Sequence, residues 1–346
     1  MIKSVCFLTT YNCNARCSFC ECGPKERDRL SLDEMKRLID ECLALGTVGQ
    51  VVFSGGEPTL LGDDLFEAIT YAAERRLLTR VVTNGFWGKS EAAAEAFVDR
   101  LIGAGLSEIN ISVDDLHQKY VPFWRVKNAY LACYAREFPC LIAHKQDRDS
   151  VITKAWLEEE LGVEFLQFDP TRRYSREENR RLISTGSIIP ITREAELADE
   201  EQMLSANWKA NCASVLRDVV VGARANFLPC CGIVTKDLPE LTRQSLREAS
   251  LIDAIDDANR DLMLNWIALE GPWAIAEFVK GVAPEIEFQD RYAGICHVCN
   301  DVLTRPDVRQ VLADHLDDVH ERVTAHRALL EAARGDAEMM KIYQRV

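Results

Sequence analysis

The first half of the chain alternates short β-rich runs with amphipathic helical patterns, and this alternation constrains the fold more than any other feature. Residues 3–8, 51–53, 80–82, 108–113, 140–143 and 163–168 read as strands. Between them, residues 32–45, 65–76, 90–104, 130–138 and 154–161 read as helices. The first helix carries a capping box, Ser31 with Glu34, and Gly46 stands just past its end. Helices long enough to cross over a sheet between consecutive strands predict an α/β protein with a parallel sheet. Six units are too few to close an eight-fold barrel, so the expected fold is a partial (β/α)6 barrel. Catalytic groups should then sit at the C-terminal ends of its strands.

The pattern changes after about residue 173. Residues 218–227 read as a hairpin, 238–269 as mostly helical, and 306–345 as two closing helices. The expected organisation is a core at 1–173, a smaller domain at 174–304 and C-terminal helices at 305–346, within the two or three domains that 346 residues allow. A net charge of −14 disfavours nucleic acid as a partner, because a phosphate backbone is bound by clustered positive charge. No window approaches the roughly 18–20 apolar residues of a spanning helix, and the N-terminus lacks the pattern of a signal peptide. A cytoplasmic protein with no membrane partner is expected. In that compartment, 13 cysteines point to metal or redox chemistry rather than disulfides.

The densest cysteine pattern is Cys13-Asn14-Ala15-Arg16-Cys17-Ser18-Phe19-Cys20, directly after the first strand. Three thiolates from one loop suit a four-iron cluster with one iron left open. With Cys22 as a fourth ligand, the same loop suits a structural zinc. The loop resembles the cluster-binding loop of the radical S-adenosylmethionine (SAM) superfamily, with Phe19 in the aromatic position. Gly55-Gly56-Glu57-Pro58 follows the second strand, as the family's GGEP motif does. Thr83-Asn84-Gly85 follows the third strand, and Ser112 and Asp114 end the fourth. The resemblance covers residues 1–168. It implies a 4Fe-4S cluster on Cys13, Cys17 and Cys20, and SAM contacts from Phe19, Gly55, Gly56, Glu57, Pro58, Thr83, Asn84, Ser112 and Asp114. It further implies reductive cleavage of SAM to a 5′-deoxyadenosyl radical that abstracts hydrogen from an organic substrate, with an external electron donor such as flavodoxin or ferredoxin. The glycines suit close backbone approach to a ligand. Glu57 suits a cationic amine, or alternatively a helix start favoured by the dipole.

A second set, Cys212, Cys230, Cys296 and Cys299, can close a complete four-thiolate site, again as a cluster or as zinc. It resembles the twitch domain, the shortened form of the SPASM domain behind some radical SAM cores. That resemblance implies one auxiliary 4Fe-4S cluster, two clusters in all, with the second accepting an electron. Either Cys230 or Cys231 is the ligand. Cys231 is also a candidate hydrogen donor to a substrate radical, or a buried structural thiol. His117, past the fourth strand, is a candidate base, or a core histidine. Arg172 and Arg173 are candidates for binding a carboxylate, or surface charge. The leading expectation is a radical SAM oxidoreductase-type enzyme that modifies a small natural-product intermediate, since only one auxiliary cluster is implied. One alternative is a maturase of a ribosomally made peptide, by crosslinking or epimerisation. The nearness of Cys13 to the start, which leaves little room for a peptide-recognition domain, weighs against it. The other is a non-enzymatic iron–sulfur carrier, which has no need of the GGEP segment.

Overall fold

Val5, Phe7, Val51, Phe53, Val81, Ile109 and Ile111 are fully buried and alternate along their strands with more exposed neighbours. Each such side chain contributes about 1.5–3 kcal/mol when withdrawn from water. A one-residue slip would turn the set to the opposite face, so the burial pins the register. They form one core with Leu38, Ile39, Leu65, Ile69, Val98 and Val126 of the flanking helices.

The computed structural model describes residues 2–20, 22–146, 148–187, 189, 207–230 and 243–343. In chain order the first half runs β1 (Ser4–Thr10), α1 (Leu32–Ala44), β2 (Gln50–Gly55), α2 (Asp63–Glu74), β3 (Leu78–Thr83), α3 (Glu91–Gly103), β4 (Glu108–Ser112), α4 (Asp115–Gln118), α5 (Phe123–Ala135), β5 (Cys140–Gln146) and α6 (Lys154–Leu161). It continues with β6 (Leu166–Gln167), α7 (Arg176–Asn179), β7 (Leu182–Ser187), β8 (Asp218–Val221), β9 (Asn226–Leu228) and β10 (Arg243–Ser245). The helices α8 (Leu251–Arg260), α9 (Leu262–Leu269), α10 (Pro272–Val282), α11 (Ile295–Thr304) and α12 (Pro306–Tyr343) follow. The described strands form one sheet in the order β10-β9-β8-β1-β2-β3-β4-β5-β7-β6. From β8 to β6 every neighbouring pair is parallel. The strand ends that follow β1 to β5 therefore open on one edge. Among the described residues, no helix is long and apolar enough to cross a membrane.

Three expectations are corrected. The sixth strand beside β5 is Leu182–Ser187 and not residues 163–168, of which only Leu166–Gln167 pairs, on the outer side of β7. The polar run Ser184-Thr185-Gly186-Ser187 hid that strand from hydrophobic pattern reading. The sheet thus continues past residue 173, and the hairpin β8–β9 extends it on the other side of β1, with Ser4 opposite Asp218. The closing segment is one helix, α12, because no proline follows Pro306 and the single Gly335 costs only about 1 kcal/mol inside a helix.

Where β1 and β2 end, their backbones touch. Gly56 N donates to Thr10 O at 2.6 Å and Glu57 N donates to Asn12 O at 2.9 Å. A Cβ on Gly56 would lie 2.2 Å from Asn12 O, and one on Gly55, at φ 128°, would lie 2.4 Å from Thr10 O. The adjacent strand already requires both glycines, before any ligand does. Gly56→Ala should destabilise the apoprotein by about 1–3 kcal/mol, since the obstructing atoms are backbone and cannot swing aside. Gly49→Ala, whose Cβ meets nothing within 4 Å, should stay within about 0.5 kcal/mol of the parent. Urea denaturation of both variants checks the contrast.

Candidate functional site

The strand ends enclose a cavity of about 310 Å3. Cys13, Cys17 and Cys20 all line it, as does Cys22. Their loop is shaped by Cys13 N donating to Gly23 O at 3.1 Å, Gly23 N to Tyr11 O at 3.2 Å, and Cys20 N to Cys17 O at 3.1 Å. Burial pushes the Cys13 thiol up to about 11 and the Cys17 thiol up to about 12, and the neighbouring cysteines add to both shifts. Binding a metal here therefore means releasing protons. Among the described residues, no three His, Cys, Asp or Glu side chains are grouped as a single metal ion would need. Three thiols converging from one loop on a cavity wall, with open space beside them, fit a cluster that leaves one position for another ligand.

Phe19, Gly55, Gly56, Thr83, Asn84, Ser112, Asp114 and His117 line the same cavity. Glu57 and Pro58 do not. Glu57 is 0 % exposed. Its carboxylate accepts from Thr59 N at 3.2 Å, Thr59 Oγ1 at 2.5 Å, Thr83 Oγ1 at 2.8 Å and Asn84 N at 2.8 Å. Burial pushes this carboxyl above the usual range, against the pull of those donors. Glu57 ties the end of β2 to the loop after β3. It also caps the 3-10 turn Pro58–Leu61, in which Pro58 is buried. The Asn84 amide then reaches Asn14 Oδ1 at 2.9 Å and Cys13 Sγ at 3.7 Å, so its contact is with the cysteine loop.

Asp114 caps α4, accepting from Leu116 N at 3.0 Å and His117 N at 2.9 Å. His117 Nδ1 lies 2.9 Å from both oxygens of this carboxylate. The Phe19 ring packs edge-on against the imidazole, with centroids 5.2 Å apart. Sequence reading missed His144, Lys145, Ser184 and Gly186, which line the opposite wall. The signal for the first two was present, since a strand that ends His144-Lys145 places polar groups at a barrel's working edge. The other two belong to the strand that pattern reading left out. Arg172 and Arg173 do not line the cavity, and Arg172 pairs with Glu178. Cys231 lies outside the described residues.

The second cysteine set also converges. Burial raises the Cys299 thiol well above its ordinary range, and the proximity of Cys230, Cys296 and Cys212 raises it further. Cys296 and Cys299 share one face of α11, three residues apart. Cys212 N donates to Ile267 O at 3.2 Å, which anchors that ligand segment on α9. The donor set fits a closed four-thiolate cluster. Anaerobic reconstitution should load about eight irons, two clusters' worth, and replacing Cys13, Cys17 and Cys20 together by Ala should leave about half and end SAM cleavage. Iron analysis with a 5′-deoxyadenosine assay checks both.

Residues 7–135 match the model of the Radical SAM superfamily. The PqqA peptide cyclase of Granulibacter bethesdensis is 36 % identical over 111 residues, 31 % of this chain and 28 % of that protein, so the chain spans under a third of that relative's length. The putative peptide biosynthesis protein YydG of Bacillus subtilis is 21 % identical over 313 residues, 86 % of this chain and 91 % of YydG. Among solved structures, native anSMEcpe with bound AdoMet and Cp18Cys peptide superposes with a TM-score of 0.52 at 14 % identity, covering 95 % of this chain and 100 % of that one. That superposition shows a shared fold along nearly the whole chain. Residues 7–135 are thus similar to the radical SAM domain, whose family binds a 4Fe-4S cluster and SAM.

Proposed function

We propose that this protein is a maturase that modifies a ribosomally made peptide. The observation that carries the reading is the match to YydG along most of both chains. The PqqA peptide cyclase match supports the same substrate class. The small-molecule expectation rested on the count of auxiliary cysteines and on the nearness of Cys13 to the start, and the relatives favour the peptide over it.

When bound, the cofactors supply a 5′-deoxyadenosyl radical that abstracts hydrogen, and at the second cysteine set a place for an electron. Cys13, Cys17 and Cys20 hold the first cluster, and Asn84 steadies Cys13 by its amide. Gly55 and Gly56 offer backbone at the cavity wall for the methionyl end of SAM, beside Phe19 and Ser112. Asp114 holds the Nδ1 proton of His117 and leaves Nε2 to take a proton from the substrate. Cys212, Cys230, Cys296 and Cys299 hold the second cluster, and an external flavodoxin or ferredoxin supplies electrons.

The test is anaerobic incubation of the reconstituted protein with SAM, a chemical reductant and a short peptide encoded beside its gene. A SAM-dependent mass change, or deuterium uptake from heavy water, is expected in the peptide. An unmodified peptide alongside turnover of a small sugar-like substrate would overturn the reading. A folded Cys296→Ala, Cys299→Ala variant should still release 5′-deoxyadenosine slowly and yield no modified peptide. Product at the parent rate would make the second site structural.

A further inference from the structure

Two residues of the cavity wall hold surface segments in place. His117 O accepts from Tyr120 N at 3.0 Å, just past α4. His144 Nε2 lies 2.8 Å from Ile152 O, in the connection between β5 and α6. The two segments are also tied to each other. Asp115 accepts from Val151 N at 3.0 Å and from Ile152 N at 3.3 Å, and the rings of Phe123 and Trp156 pack 4.6 Å apart where α5 and α6 begin. From this fixed base, large apolar side chains point outward. Tyr120 is 46 % exposed, Trp124 49 % and Val151 72 %, although Val121 and Ile152 beside them are buried. The Arg125 guanidinium, which donates to Phe86 O at 3.0 Å, stands 5.2 Å from the centre of the Trp124 ring and steadies it at the surface.

Exposed apolar residues scattered singly need no account, and Leu78 at the start of β3 is one of these. Tyr120, Trp124 and Val151 are different, because parallel strands deliver the connections after β4 and β5 to the edge on which the cavity opens. The area says what covers them. Two aromatic side chains of about 150–250 Å2 each, half exposed, leave roughly 150–250 Å2 open. A stable dimer needs about 800 Å2 from each partner, so a second copy of the chain is a poor occupant, whereas one large apolar side chain fits. Tyr120 follows His117 by about one helical turn, roughly 5 Å, and an extended peptide advances about 3.3 Å per residue. We propose that Tyr120, Trp124 and Val151 form an apolar subsite at the cavity mouth that grips an aromatic or large aliphatic side chain of the peptide, one or two residues from the residue held in the cavity. The occupant's being a peptide rests on the reading above.

Calorimetry and fluorine NMR of SAM-loaded holoprotein carrying 5-fluorotryptophan test it, with the Trp124 resonance assigned through Trp124→Phe. The probes are acetylated, amidated Ser/Gly peptides with one central Phe, Leu or Ser, and N-acetylphenylalaninamide. The Phe and Leu peptides should shift the Trp124 resonance and bind about ten-fold more tightly than the Ser peptide, as burial of one apolar side chain implies. Tyr120→Ser and Trp124→Ser should each erase most of the preference and Val151→Ser should reduce it. Leu78→Ser, on the opposite edge, should keep it. Each variant is compared at parent iron content and melting behaviour. Trp124-dependent binding of N-acetylphenylalaninamide without binding of any peptide would keep the apolar subsite and remove the peptide reading. Peptides that bind equally well whatever their central residue would keep the peptide reading and overturn the subsite, and no apolar preference in any probe would overturn it too. So would a Trp124 resonance that moves with protein concentration alone, which marks an interface between copies. A loss of SAM affinity in Tyr120→Ser or Trp124→Ser would assign the patch to the cofactor and overturn it as well.

Discussion

The site depends on the contact between the backbone at Gly55–Glu57 and the backbone at Thr10–Asn12. Two hydrogen bonds cross it, and there is no room for a side chain at Gly55 or Gly56. That contact brings Glu57 into the interior, where a carboxylate is tolerated only if it is well supplied with donors. Four donors meet it, two of them from Thr83 and Asn84. One buried group thereby joins the ends of β2 and β3, and Asn84 extends the connection to Cys13 at the exit of β1. The cysteine loop is positioned from outside itself, by the two strands beside it.

The two cysteine sets belong to one framework. β8 pairs with β1 in parallel, so the hairpin that separates Cys212 from Cys230 shares a sheet with the strand that leads to Cys13. α1 reinforces the connection: Glu34 pairs with Arg247, and Glu41 accepts from Leu251 N at 2.5 Å. Nearby aromatic rings pack Trp208 against Tyr292 at 5.3 Å and Tyr292 against His297 at 5.1 Å, which joins the segment before Cys212 to the helix that carries Cys296 and Cys299. The spacing between the two sites is thus set by strand pairing and packed rings rather than by a loose linker.

The cavity has two unlike walls. On one side are thiols, glycines and Asn84; on the other are His144, Lys145, Ser184 and Gly186. Between them, the Asp114–His117 pair and Phe19 stand at the end of β4. Two unlike sets of side chains thus face one enclosure, an arrangement that parallel strands favour because their C-terminal ends all face the same edge.

The sequence by itself determined what depends on local order. The strand and helix alternation, the capping box of α1, the hairpin around residue 222 and both cysteine sets were legible because each is written in neighbouring residues. Most of the cavity lining on the β1 to β4 side was legible too, because short motifs sit directly after strands. What required the tertiary structure was partner choice across the sheet. In the sequence Glu57 reads as a partner for a cationic amine or as a carboxylate at a helix start, and only the tertiary structure brings Thr83 and Asn84 to it. The place of Leu182–Ser187 beside β5 was hidden because its second half lacks the apolar residues that announce a strand. With it was hidden Gly186, which means nothing until the two strands lie side by side.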